Sequence, residues 1–264
     1  MNEDYIDSQT GLLICGTCHT PKEAYFPKEL YQIGGTKHAI LCQCGIERLE
    51  HQEESRRQRE HWERVEELRR EAFREIPAGG WRFSEAQWTE PLRKASRYAE
   101  NWEEMQSQGL GLLLFGDVGT GKSYAAGCIA NALLDGEHAV KFVSCSNIVN
   151  LLQGLYPNER NAFFKKLLQS DLLILDDLGA ERSTSYGREQ IFEVVNQRTL
   201  SEKPMVVTTN VPLEVMKHTK DLQERRIYDR VLKTCIPLQF SGESFRRLAA
   251  AENLHKAAAI LNQN

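Results

Sequence analysis

The sequence of 264 residues has no apolar run near the roughly 20 residues that a membrane-spanning helix needs, so we expect no membrane partner. Its first residues, Met-Asn-Glu-Asp-Tyr, are acidic and lack the apolar core of a secretion signal. Basic residues are not in excess, because 33 Lys and Arg are balanced by 37 Asp and Glu. This balance excludes a uniformly basic nucleic-acid-binding surface. We expect a cytoplasmic protein in which any contact with nucleic acid comes from local patches.

A phosphate-binding loop is the most informative feature that is present. Residues 116–123 read Gly-Asp-Val-Gly-Thr-Gly-Lys-Ser, after an apolar run that predicts a buried strand and before an Ala-rich stretch that predicts a helix. A chance Gly-rich turn would not have both flanks. Glycine lets backbone N–H groups face phosphate oxygens, the lysine supplies a charge for the β- and γ-phosphates, and the serine hydroxyl can bind Mg²⁺. The predicted nucleotide-binding residues are Gly116, Asp117, Val118, Gly119, Thr120, Gly121, Lys122 and Ser123.

Two further apolar runs end in polar side chains. Residues 171–177 predict a central parallel strand that ends in Asp176 and Asp177. Ligands of open α/β sheets bind beyond the carboxyl ends of strands. We therefore assign Asp176 to Mg²⁺ and Asp177 to the water that attacks the γ-phosphate. Paired aspartates also cap helices, but their position after a phosphate loop favours the metal site. A third run, residues 205–210, ends in Asn210, which we place beside the lytic water or the γ-phosphate.

Four of the seven cysteines form two close pairs near the N-terminus, Cys15 with Cys18 and Cys42 with Cys44. Each pair is expected at a turn after a short strand. In a reducing cytosol this spacing favours tetrahedral Zn²⁺ over disulfides, with redox-active thiols as the alternative. Two nearby histidines could replace one thiol, and they are His19 and His38. The small segment would need the metal to fold.

The chain divides into three predicted regions. Residues 1–45 form the zinc-binding module, and residues 46–79 form a charged helical linker whose apolar side chains appear only in its second half. Residues 80–264 form an α/β domain with a parallel sheet. Within that domain we expect a continuous helix over residues 92–105, before the first strand.

These motifs together resemble one family. The phosphate loop, the strand ending in Asp176 and Asp177, Thr-Thr-Asn at 208–210, Arg-Ile-Tyr-Asp-Arg at 226–230 and Ser-Gly-Glu-Ser-Phe-Arg at 241–246 occur in the order found in AAA+ ATPases of the DnaC/DnaI-like helicase-loader group. IstB-like transposition helpers are close cousins. The resemblance implies an ATP-dependent oligomer that binds single-stranded DNA and delivers a replicative helicase, which the zinc module grips.

The resemblance also assigns roles to three arginines. Arg230 matches the arginine that reaches the γ-phosphate bound by a neighbouring subunit, and Arg226 is its rival. Arg246 matches a sensor that contacts phosphate in its own subunit. Many AAA+ proteins have Asp-Glu where this chain has Asp176 and Asp177, and the shorter second carboxylate suits a slow switch better than a motor.

The same resemblance places DNA contacts in the helix before the acid-tipped strand and in channel-lining loops. Rings can stack on bases and cations can bind phosphates, but the helix can equally be an amphipathic core element. The DNA-binding candidates are Phe163, Phe164, Lys165, Lys166, Arg182 and Tyr186. Two other classes stay open: a transposition helper that binds double-stranded target DNA, and a nucleotide-binding adaptor without useful turnover.

Overall fold

The computed structural model describes residues 3–25, 37–74, 76–180 and 185–261, and the chain divides into two compact units, Met1–Glu63 and Arg64–Asn264. The sequence predicts three regions with boundaries after residues 45 and 79. Those boundaries stay predictions. None of the helices in the described ranges combines the length and apolar character that crossing a membrane requires.

The first unit contains two short antiparallel ladders. Strand β1 (Tyr5–Ile6) pairs with β2 (Leu13–Ile14), and β3 (Glu23–Tyr25) pairs with β4 (Lys37–Ala39). Helix α1 (Gln43–Ala72) follows and continues into the second unit. Its buried residues are Val65 and Ala72, both in the second unit.

The second unit is built on a five-stranded parallel sheet in the order β6-β7-β8-β5-β9. Its strands are β5 (Gly111–Gly116), β6 (Val140–Ser144), β7 (Leu172–Leu178), β8 (Met205–Thr209) and β9 (Cys235–Phe240). The phosphate-loop strand β5 and the acid-tipped strand β7 are therefore not neighbours, because β8 lies between them.

Helices precede, connect and follow these strands. They are α2 (Glu90–Glu100), α3 (Trp102–Ser107), α4 (Lys122–Asp135), α5 (Cys145–Gly154), α6 (Pro157–Gln169), α7 (Ser185–Leu200), α8 (Leu213–His218), α9 (Leu222–Thr234) and α10 (Phe245–Leu261). A short 3₁₀ turn, Phe83–Glu85, precedes α2. The parallel α/β fold predicted from the sequence is confirmed.

The continuous helix expected over residues 92–105 was wrong. The chain breaks at Asn101, which has φ −104° and ψ 31° and serves both as the C-cap of α2 and as the N-cap of α3. Its side-chain amide donates to the carbonyl oxygen of Arg97 at 2.7 Å, in competition with the helical backbone.

Both faces of the sheet are buried, and this explains the continuous apolar runs of its strands. Alternate residues point to opposite faces. Leu112, Leu114, Ile174 and Val206 belong to one core. Leu113, Leu173, Leu175 and Val207 belong to the other. The carboxyl ends of β5, β7 and β8 are thus held at one edge, where the polar residues that follow them meet.

Candidate functional site

The phosphate loop wraps from the end of β5 to the start of α4. Its glycines are required where the backbone approaches other chain segments. A Cβ built on Gly116 would lie 1.9 Å from the carbonyl oxygen of Phe240, and one on Gly119 would lie 2.1 Å from Ser244 Oγ. Both glycines have positive φ, 135° and 83°, a region that L-residues avoid. A side chain at either position would therefore strain the loop.

Lys122 begins α4 beneath the loop. Its Nζ donates to the carbonyl oxygens of Gly116 at 2.8 Å and Asp117 at 2.6 Å. Burial lowers the pKa of Lys122, and the negative charges of Asp177 and Asp117 oppose that shift. The ammonium is therefore held at the base of the loop, within reach of an anion bound by the loop's N–H groups.

The acid-tipped strand leaves its regular register at the site. Pairing with β8 shifts between Leu175 and Leu178, and Asp177 adopts a left-handed conformation with φ 56°. Thr208 in β8 fills the irregularity, because its Oγ1 donates to Asp176 Oδ1 at 2.7 Å and accepts from the Asp177 backbone N–H at 2.9 Å. One hydroxyl thus fixes both aspartates.

Asp176 and Ser123, predicted as the two Mg²⁺ ligands, are adjacent. Burial raises the pKa of the Asp176 carboxyl, while hydrogen bonds from Thr208 and Ser123 lower it. Asp176 is 8% exposed. A carboxylate and a hydroxyl at one point match the oxygen ligands that Mg²⁺ prefers, so these residues fit that ion.

A pocket of about 430 Å³ opens beside the loop. Most predicted site residues line it, namely Val118, Gly119, Thr120, Gly121, Lys122, Ser123, Asp177, Asn210 and Arg246. Its lining also contains residues that sequence reasoning missed: Trp81, Glu85, Ala86, Gln87, Thr89, Leu92, Tyr124, Phe240 and Phe245. The pocket therefore extends well beyond the phosphate loop.

The missed wall is held against α4. A Cβ on Gly127 would lie 2.3 Å from Trp81 Cε3, so this helical glycine makes room for the indole. The Asn131 amide donates to the carbonyl oxygens of Ala78 and Trp81, both at 2.9 Å. The Tyr124 hydroxyl donates to the carbonyl oxygen of Arg82 at 2.9 Å. A glycine inside a helical pattern was the one sequence signal for this contact.

The start of α10 also lines the pocket. The Phe245 backbone N–H donates to the carbonyl oxygen of Gly119 at 3.0 Å, which fixes this turn on the phosphate loop. Arg246 follows directly and lines the pocket. Its charge adds to the lowering of the Lys122 pKa by burial and partly offsets the rise that burial causes in the pKa of Asp176.

The arginines of α9 do not line this pocket. Arg230 is partly buried, and its Nε donates to Asn196 Oδ1 of α7 at 2.8 Å. Arg226 is exposed. Neither side chain therefore completes the pocket of its own chain.

The DNA-binding candidates are in different environments. Phe163 and Phe164 are partly buried and pack against the core beneath α6. Lys166 forms an ion pair with Glu71 at 2.6 Å, while Lys165 is exposed. Tyr186 packs against the same core, and Arg182 lies outside the described residues.

In the first unit the four predicted metal ligands converge. Cys15, Cys18, Cys42 and Cys44 form a cysteine cluster whose Sγ atoms all lie within 4.8 Å of one another. Sulfurs bound about 2.3 Å from a tetrahedral Zn²⁺ are about 3.8 Å apart, so the cluster could hold this ion. Among the described residues the group contains no histidine, so neither His19 nor His38 replaces a thiol.

The second cysteine pair follows a short strand, β4, as expected, but it lies at the start of α1 and not at a turn. The Cys42 carbonyl accepts from the backbone N–H groups of Gly45 at 2.9 Å and Ile46 at 3.0 Å, which begins the helix. This geometry explains the one-residue gap. The Cys44 backbone N–H and the Thr20 hydroxyl lower the pKa of Cys18 to about 5, which favours a metal-binding thiolate.

Comparison with known proteins gives a family for most of the chain. The sequence model of the family described as IstB-like ATP binding protein matches residues 46–253. The chain belongs to this family. The IstB-like family thus covers the sheet, the phosphate loop and the arginines of α9, as the resemblance implied.

Individual relatives of this IstB-like protein share less than a third of their aligned residues with it. The replicative helicase loader DnaI of Bacillus subtilis is 23% identical over 262 residues, which cover 92% of this chain and 81% of that protein. The replicative helicase loader DnaC of Escherichia coli is 29% identical over 159 residues, 59% of this chain and 62% of that protein. The crystal structure of the DnaC helicase loader matches with a TM-score of 0.54 at 20% identity, over 63% of this chain and 99% of that one. The AAA+ fold expected from the sequence is confirmed.

The contact between Gly127 and Trp81 generates a prediction. We expect Gly127→Ala to weaken nucleotide binding at least about fivefold, because overpacking costs about 1–3 kcal/mol and the indole can yield only by moving the pocket wall. A fluorescent nucleotide titration measures this. Gly154→Ala is the control, since a Cβ there meets nothing within 4 Å. Unchanged affinity in Gly127→Ala, with the gain in helix stability that alanine normally gives, would contradict the assignment of the wall.

Proposed function

We propose that this chain is an ATPase that loads a replicative DNA helicase onto single-stranded DNA as an ATP-gated oligomer in the cytoplasm. The observation that most supports this is the pocket itself. It brings Lys122, Asp177, Asn210 and Arg246 together in a chain that aligns with DnaI over 92% of its length. The helicase, the DNA and the assembly are inferred from that likeness.

The chemistry we propose is phosphoryl transfer to water. The loop N–H groups and Lys122 bind the β- and γ-phosphates of ATP, and Arg246 contacts phosphate from the α10 side. Mg²⁺ held by Ser123 and Asp176 would neutralise charge on the phosphate oxygens. Asp177 accepts a hydrogen bond from the attacking water, and Asn210 orients it.

The backbone conformation and the short side chain of Asp177 support slow turnover. Its left-handed backbone, φ 56°, is tolerated by Asp and Asn better than by longer side chains. The carboxylate is one methylene shorter than the glutamate of many AAA+ proteins. It would therefore reach the water less closely, and we propose that hydrolysis acts as a timed switch stimulated by assembly or DNA.

Assembly is proposed because the pocket lacks an arginine from α9. Arg230 lies outside the lining of its own chain's pocket, and so does Arg226. An arginine that acts in a neighbouring subunit makes hydrolysis report on oligomerisation. We assign this role to Arg230, with Arg226 as the alternative.

The proposed DNA contacts involve α6 and the loop before α7. Lys165 is exposed, and the accessible parts of Phe163 and Phe164 could stack on bases. Lys166 would first have to leave its ion pair with Glu71. Tyr186 and Arg182 are the loop candidates.

We propose that the zinc-binding module binds the helicase. Four thiolates would bind one structural Zn²⁺ and stabilise a unit whose own core is small. A transposition helper is the second candidate, favoured by the family's description. It would use the same ATPase site with double-stranded DNA and a transposase as partners. The cysteine cluster lies before the region that the family model matches, which favours the loader.

The role of Arg230 gives a mixing prediction. Lys122→Ala chains and Arg230→Ala chains should each be inactive, and an equal mixture should recover ATP hydrolysis. A complete site then forms at about one interface in four if subunits mix at random. Recovery should rise with protein concentration, since two chains must meet.

Phosphate release measured over a range of mixing ratios tests this. Arg225→Ala, an exposed arginine on the same helix, is the matched control and should behave as wild type. No recovery at concentrations where the wild type assembles would transfer the role to Arg226 or remove it from α9.

The zinc proposal predicts about one Zn²⁺ per full-length chain by elemental analysis. Cys18→Ser should lose zinc and the capture of a replicative helicase from the encoding organism, while nucleotide binding persists. Cys128→Ser is the control, because that thiol is buried in the ATPase unit. Zinc-free wild type that captures the helicase equally well would contradict the proposal.

A further inference from the structure

Two arginines of α9 share one aromatic ring of α7. The guanidinium carbon of Arg226 lies 4.0 Å from the centroid of Phe192, and that of Arg230 lies 4.5 Å from it. The negative face of an aromatic ring attracts such cations. Phe192 is partly buried. The ring thus offers both guanidinium groups a partly buried apolar surface.

Arg230 is fixed by two more groups. Its Nε donates to Asn196 Oδ1 at 2.8 Å, and its Nη1 donates to the carbonyl oxygen of Arg226 at 2.9 Å. Phe192 and Asn196 are four residues apart and therefore share one face of α7. The guanidinium is bound on its plane and on its edge, which restricts a side chain that is otherwise very flexible.

All of these partners are neutral. Within the described ranges, neither Arg226 nor Arg230 forms an ion pair. The acids at the start of α9 are engaged elsewhere, because Arg188 of α7 lies 3.7 Å from Asp221 and 4.0 Å from Glu224. A carboxylate would hold Arg230 as firmly but would neutralise it. The observed partners fix its position and leave its charge available.

An arginine that is positioned but not neutralised suits the binding of an anion supplied by another molecule. We propose that Phe192 and Asn196 are positioning residues that hold Arg230 ready for the triphosphate bound by a neighbouring copy of this chain. This rests on the proposed function, in which Arg230 acts in trans. Asn196 sets the direction of the guanidinium edge, and Phe192 supports its plane.

The test places each change on the chain that donates the arginine. Lys122→Ala donors cannot hydrolyse ATP. The turnover of their mixture with Arg230→Ala acceptors therefore measures only the contribution of the donor's Arg230 to the acceptor's site. Donors would also contain Asn196→Asp, Phe192→Leu or Phe192→Tyr. The matched control is Gln197→Glu, which makes the same neutral-to-acid change at an exposed position beside Asn196.

We expect Asn196→Asp to lower the recovered turnover at least about tenfold, because a trans arginine contributes roughly 10³–10⁵ to kcat and the new carboxylate neutralises it. Phe192→Leu should also reduce recovery, and Phe192→Tyr should restore it, since tyrosine keeps the ring. Gln197→Glu donors should recover like the parent mixture. Nucleotide affinity of each variant in an otherwise wild-type chain should stay unchanged, because neither residue lines the pocket.

If Phe192 and Asn196 served only to stabilise the fold, the variants would behave differently. Asn196→Asp would then be harmless or beneficial, since it strengthens the contact with Arg230. The inference would be overturned if Asn196→Asp donors recovered as much turnover as Gln197→Glu donors. It would also be overturned if Phe192→Tyr donors lost turnover in proportion to a loss of thermal stability. Failure of the parent mixture to recover would instead remove the trans role of Arg230, and the inference would fail with it.

Discussion

The nucleotide site depends on one strand, β8, which separates the phosphate loop from the acid-tipped strand. Thr208 in β8 holds both aspartates through one hydroxyl, with 2.7 Å to Asp176 and 2.9 Å to the Asp177 N–H. The Asp176 carboxylate also accepts a hydrogen bond from Ser123 of the phosphate-loop helix, so this one carboxylate links the ends of two strands that are not neighbours in the sheet. The register shift in β7 is therefore part of the site, and it also turns Asp177 toward the pocket.

Strand β7, which carries the two aspartates, is followed in the chain by α7, the helix that contacts Arg226 and Arg230 of α9. Helix α7 follows β7, and its packing with α9 includes ion pairs at one end and the Phe192 platform further along. The nucleotide pocket and the arginine face are thus built on successive segments of one chain. In the oligomer that we propose, a small change at the γ-phosphate would be transmitted through α7 and α9 to a neighbouring subunit.

Sequence reasoning placed the local motifs correctly, and the roles of their residues stay predictions. The phosphate loop, Asp176 and the four converging cysteines are motifs of a few residues, and their chain order indicated the fold. It failed where distant residues meet. Trp81 and Gly127 touch only because a preceding segment folds back over α4, and no local pattern specifies that partner. The break at Asn101 was hidden because one asparagine is common inside helices, and its backbone hydrogen bond is visible only in three dimensions.

We propose that nucleotide binding by this chain places a replicative helicase on DNA. The most direct measurement is the amount of helicase retained on circular single-stranded DNA, with the purified chain, ATP and a chase of free DNA. Helicase retention should require the wild-type chain and ATP and should be lost with Lys122→Ala. Equal retention without the chain or with Lys122→Ala, or a chain that binds only double-stranded circles, would contradict it.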